Sequence, residues 1–113
     1  MKILTIEIAD RKTANKRFLS AAKGKRQGEF LSFSDLDLLH KVLTPKRMHI
    51  LQELQRIGPI RLREFARALD VDAGNLQRDV KQLSGFGLVE DSGDGLFVPY
   101  DEIRLELVIK RVA

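Results

Sequence analysis

Four interruptions decide what residues 44–99 can become: Gly58-Pro59, Asp70-Val71-Asp72, Gly85 with Gly87, and DSGDG at 91–95. Gly and Pro are the strongest local breakers, and Asp tolerates the left-handed backbone that a tight turn needs. Three of the pieces between these interruptions repeat apolar residues every three or four positions: Ile50, Leu51, Leu54 and Ile57, then Leu62, Phe65, Ala66 and Leu69, then Leu76, Val80 and Leu83. That spacing makes one buried face on each of three helices. Thr44 before Pro45 reads as an N-cap with proline at the first helical position, where its missing N–H is not needed. Asp72 reads as the cap of a helix running from Ala73 to about Phe86. Residues 88–90 and 96–98 then read as two strands joined by DSGDG.

The flanks have a different period. Residues 2–9 alternate, with Leu4, Ile6 and Ile8 on one side and Ile3, Thr5 and Glu7 on the other. Near the other end Ile103, Leu105, Leu107 and Ile109 oppose Arg104, Glu106, Val108 and Lys110. Both segments read as strands that pair with each other or across a dimer. Between them and the helices, residues 11–26 (RKTANKRFLSAAKGKR) carry seven of the chain's 20 Lys and Arg and no acid. Ala14, Phe18 and Ala21 or Ala22 give this run a narrow helical stripe, so a basic helix is expected. Gly28 breaks it, FLSF at 30–33 reads as extended, and Ser34 as the N-cap of a helix that carries Asp37 in its first turn and ends near Leu43. The expected organisation is an extension of strand and basic helix over 1–28 and a second domain over 29–113.

Composition narrows the function. With 113 residues and 43% apolar content the chain can bury a modest core. It has no cysteine, so thiolate metal sites, disulfides and cysteine nucleophiles are out, in keeping with a cytoplasmic location. No apolar run approaches a bilayer span, and MKILTIEIAD is not a signal-peptide core. His40 and His49 lie on different expected helices without metal-type spacing, and Asp35 with Asp37, or Asp70 with Asp72, are explained by capping and turns. No phosphate-cradling glycine loop or nucleophile elbow is present. No enzyme activity, cofactor or metal is therefore expected.

The helix 73–86 carries the functional signal. At about 100° per residue, Leu76, Val80 and Leu83 point inward, while Gly74, Arg78 and Lys81 lie opposite, flanked by Gln77 and Gln82. Such a face is ordinary for any solvated helix, but a guanidinium, an ammonium and two amides also suit base edges and phosphates. The order helix, short turn, helix, β-hairpin turns the balance toward DNA. The expected fold is therefore α+β, mainly α: a winged helix-turn-helix with an N-terminal strand and basic helix and a C-terminal strand.

The stretch LTPKRMHILQELQRIGPIRLREFARALDVDAGNLQRDVKQLSGFGLVE resembles the winged-helix core of predicted MarR-like regulators of archaea and bacteria. The likeness covers about residues 30–110, through L-T-x-x-R at 43–47, E-F-A-x-x-L at 64–69, R-D-V-x-x-L at 78–83 and G-L-V-E at 87–90. It implies a transcription regulator that binds double-stranded DNA, with Asn75, Gln77, Arg78 and Lys81 toward the bases of the major groove, while Gly74 and Gln82 on the same helix face complete the expected DNA-binding surface. Lys46, Arg47, Arg61 and Arg63 are the expected phosphate contacts, and Arg11, Lys12, Lys16 and Arg17 are expected to meet DNA backbone or a protein partner. A single such module buries little surface on DNA, which argues for a homodimer. One branch of similar proteins acts as antitoxins, so the alternative is a protein that neutralises a cognate toxin, with DNA binding secondary. The chain departs from the pattern at the acidic hairpin tip (Asp91, Asp94), at Arg61 in place of a Ser or Thr cap, and in lacking long terminal dimerisation helices.

Overall fold

Three parallel strands gather from distant parts of the chain. The computed structural model describes residues 1–9, 28–109 and 111, and among these β1 (Ile3–Ile8), β2 (Glu29–Phe33) and β5 (Glu102–Glu106) form one sheet in the order β2-β1-β5. Both neighbours run parallel to β1, with Ile6 opposite Leu31 on one side and Leu105 on the other. Alternation puts Leu4, Ile6, Leu31, Phe33, Ile103 and Leu105 on one face; Leu4, Ile6 and Phe33 are buried. The other face holds Ile3, Thr5, Glu7, Phe30 and Ser32. Glu7, expected among the polar residues, is in fact buried, and its carboxylate accepts a hydrogen bond from the Ser32 hydroxyl at 3.1 Å.

The two terminal strands therefore pair with each other, and FLSF is a full partner of the first. The apolar alternation expected through Ile109 outlasts the strand: pairing stops at Glu106, and Leu107, Val108 and Ile109 are all exposed. The segment expected as a basic helix, with Arg11, Lys12, Lys16 and Arg17, lies outside the described residues, as does Lys110.

Helix α1 (Leu36–Val42) follows β2. Its cap is Asp35 and not Ser34: the Asp35 carboxylate accepts from the Leu38 N–H at 2.8 Å, and Asp37 stands in the first turn.

The second unit, Lys41–Asp101, holds helices α2 (Pro45–Ile57), α3 (Leu62–Leu69) and α4 (Ala73–Gly85) and a hairpin of β3 (Glu90–Asp91) and β4 (Leu96–Phe97). The other unit comprises Met1–His40 and Glu102–Ala113. This grouping differs from a division after residue 28 because β2 and β5 both pair with β1. The Thr44 hydroxyl caps α2 through the Arg47 N–H, and Pro45 opens it. The helical stripes form the core as their periods require: Ile50, Leu51 and Leu54 from α2, Phe65 and Ala66 from α3, and Leu76, Val80 and Leu83 from α4, with Leu88 and Val89 after it. Leu62 and Leu69, at the ends of α3, are half-buried.

The hairpin is shorter than its sequence implies but gains a third extended segment of one residue. Ile60 exchanges backbone hydrogen bonds with Leu96 at 3.0 and 2.8 Å. Gly95 permits this approach: its φ is +146°, and a Cβ there would lie 2.6 Å from the Ile60 carbonyl carbon. Four helices and five strands among the described residues make the chain α+β. None of those helices is long and apolar enough to cross a membrane.

Candidate nucleic-acid interface

Helix α4 is fixed at its start by two aspartates. Asp70 takes the left-handed conformation (φ 55°) that closes α3, its N–H reaching the carbonyls of Ala66 and Arg67. Two residues on, the Asp72 carboxylate accepts from the Asn75 N–H at 2.9 Å and caps α4. A Cβ at position 74 would stand 3.1 Å from Asp72 Oδ2, a close contact with the capping carboxylate.

Burial of Leu76, Val80 and Leu83 turns the opposite face outward: Gly74, Asn75, Gln77, Arg78, Lys81 and Gln82 are all exposed. Arg78 reaches back one turn along the helix and donates from Nη2 to the Asn75 side-chain amide oxygen, Oδ1, at 2.5 Å. The six residues of the expected DNA-binding surface thus share one face, with the guanidinium lying over the first turn of α4.

The expected phosphate contacts do not behave alike. Arg61 begins α3 without a side-chain cap, and it and Arg63 are exposed and form no ion pair among the described residues. Arg47 is different. Its side chain is only 17% exposed; Nε donates to Asp79 Oδ1 at 3.0 Å, and Nη1 donates to the carbonyls of Lys41 and Val42, each at 3.1 Å. A guanidinium so committed fastens α2 to α4. Lys46 is well exposed along its stem, yet its ammonium lies 3.1 Å from Asp79 Oδ2.

Asp79 is the residue that sequence reading passed over. It is buried, and Oδ2 accepts no well-aligned hydrogen bond, so the Lys46 charge beside it supplies the compensation. Burial opposes ionisation of this carboxyl, but the contacts with Arg47 and Lys46 outweigh it and hold its pKa below the ordinary aspartate value. A signal was present in both stripes. Asp79 falls at i+3 from Leu76 and i+4 to Leu83, and Arg47 falls three and four residues before Ile50 and Leu51. An acid in one core stripe and a base in another are expected to meet.

The hairpin tip supplies no cation. Asp91 accepts from the Gly93 N–H at 2.9 Å and the Ser92 hydroxyl from the Asp94 N–H at 3.3 Å, so the turn is tied by its own side chains. Both carboxylates are exposed beside it. Among the described residues no group of three or more His, Asp or Glu is placed to hold a metal ion.

No curated protein matches this chain. Residues 42–105, a span that runs from the end of α1 through α4 and the hairpin into β5, match the model of the HVO_A0114 family. Because that match takes in more than half of the 113 residues, including every element around the Arg47–Asp79 pair, the chain belongs to the HVO_A0114 family.

Proposed function

We propose that this protein is a cytoplasmic winged helix-turn-helix regulator of the MarR-like kind that binds double-stranded DNA and controls transcription, acting as a homodimer. In this reading α3 and α4 are the helix-turn-helix, α4 enters the major groove, and β3 with β4 is the wing. The observation that carries it is the division of α4 into a face of three buried apolar residues and a face where Asn75, Gln77, Arg78, Lys81 and Gln82 are all exposed. Arg78 and Lys81 read base edges or the phosphates beside them, and Asn75 steers the guanidinium through its hydrogen bond. Arg61 and Arg63 provide phosphate contacts just before and within the first helix of the pair. The acidic tip keeps the wing off the backbone, so affinity depends on α4 and on a second copy bound at the neighbouring half-site.

The test is retardation of the fragment upstream of the protein's own gene. Arg78→Ala and Lys81→Ala are each expected to weaken binding by roughly 10- to 100-fold, and the double variant to abolish it, with far-UV circular dichroism unchanged. Undiminished retardation by a folded double variant rejects the assignment of α4.

A further inference from the structure

Strand β5 is an outer strand of its sheet, and its sequence specifies what should lie beside it. The Glu102 N–H donates to the Lys2 carbonyl, so in a parallel ladder Glu102, Arg104 and Glu106 direct their backbone groups toward β1. The alternate residues Ile103 and Leu105 then direct theirs away from β1, where β5 has no further strand among the described residues. Such an edge is a template for another strand. It is also apolar on one face, with Leu105 43% and Leu107 45% exposed.

We infer that two copies of this chain join through β5, edge to edge and antiparallel about a twofold axis at Leu105, so that the two sheets become one. This deepens the dimeric part of the reading above and does not depend on DNA contact. A twofold axis perpendicular to the sheet keeps like faces together and sets each residue against one whose distance from the axis is equal and opposite.

With the axis at Leu105, the apolar face pairs Ile103 with Leu107 of the partner subunit and Leu105 with its own copy. The polar face pairs Arg104 with Glu106 of the partner subunit, twice over by symmetry. Opposite charges and apolar residues facing one another across strands each stabilise the pairing, whereas like charges oppose it. No neighbouring register does as well. An axis at Arg104 sets Arg104 against itself and Glu102 against Glu106. One at Glu106 sets two carboxylates face to face. One at Leu107 takes Arg104 and Glu106 out of opposition and so loses both ion pairs, and one at Ile103 sets Leu105 against Asp101. Within one protomer Arg104 already contacts Glu102 through Nε at 2.7 Å. The partner's Glu106 completes a row of alternating charge across the junction.

The experiment uses the full chain, which has no cysteine of its own. Sedimentation equilibrium over a concentration series is expected to give a monomer–dimer equilibrium. Leu105→Cys is expected to form a disulfide-linked dimer on mild oxidation, because residues paired at a twofold lie about 5.5 Å apart at Cα, within the span a disulfide accepts. Val108→Cys, which faces Glu102 of the partner subunit and lies far from its own copy, is expected not to cross-link.

Arg104→Glu should weaken association by roughly 10- to 100-fold by placing acids opposite acids, and Arg104→Glu with Glu106→Arg should restore it. Restoration by the swapped pair cannot come from a folding defect. A wild-type chain that stays monomeric throughout the series, a dimer indifferent to Arg104→Glu, or cross-linking at 108 in place of 105 overturns the proposal. Arg78→Ala leaves the dimer intact in every case, so loss of DNA binding and loss of this interface are read separately.

Discussion

Arg47 and Asp79 face each other across the second unit at 3.0 Å, the first from the opening turn of α2 and the second from the middle of α4. Asp79 shares its helix with the exposed Arg78 and Lys81, so whatever holds this pair also sets the pitch of the surface that those two residues present. The pair is largely withdrawn from solvent and braced by the Lys41 and Val42 carbonyls, which places it with buried bridges and not with surface ones.

Breaking one side is expected to be costly. Asp79→Asn leaves Arg47 without its counter-charge and should reduce stability by about 3 kcal/mol. A shift of that size lowers Tm by roughly 10–20 °C in a domain of this length. Arg47→Met combined with Asp79→Leu should recover most of the loss, because apolar replacement of a buried pair is close to neutral. Thermal melts of the single and double variants decide the matter; single variants as stable as wild type would show the pair to be ornamental.

The same carboxyl sets a pH dependence. Its folded pKa lies below the ordinary aspartate value of about 3.9. The folded state therefore gains stability from Asp79 that is complete above that ordinary value and drains away as pH falls through the lowered folded one. Urea midpoints measured from neutrality down to acid should fall less steeply in Asp79→Asn than in wild type over this window. Parallel curves would assign acid lability to other groups.

Gly95 offers a third measurement. Alanine there meets both a positive φ of 146° and the Ile60 backbone at 2.6 Å. Gly95→Ala should cost about 3 kcal/mol or more, and loss of amide-exchange protection at Ile60 and Leu96 should accompany it. Gly93→Ala, with φ of 92° but nothing within 4 Å, should be milder. Equal costs would mean that conformation alone, and not the close approach, governs the turn.

Local signals carried much of the architecture. Thr44-Pro45, Asp70 and Asp72 announced α2, the end of α3 and the start of α4, because a cap or a left-handed turn depends on residues a few positions apart. Pairing over distance did not show. Alternation marks a strand without naming its neighbour or direction, so the parallel arrangement of β1 with both β2 and β5 was not legible, and Glu7 looked like a surface residue. The Arg47–Asp79 pair was hidden for the same reason, since the two residues stand 32 positions apart. Ser34 and Asp35 are both capping residues, and one position of slack decided between them.

The strand order has a consequence for how the molecule is made. β1 is the middle of its sheet, yet one of its two neighbours, β5, is translated only after the whole of Lys41–Asp101. At roughly 5–20 residues per second, the gap between Phe33 and Glu102 keeps one flank of the first strand unsatisfied on the ribosome for several seconds. A nascent chain with that flank open is a target for chaperones or for misjoining with its neighbours on a polysome. A message truncated before Glu102 would leave it open for good.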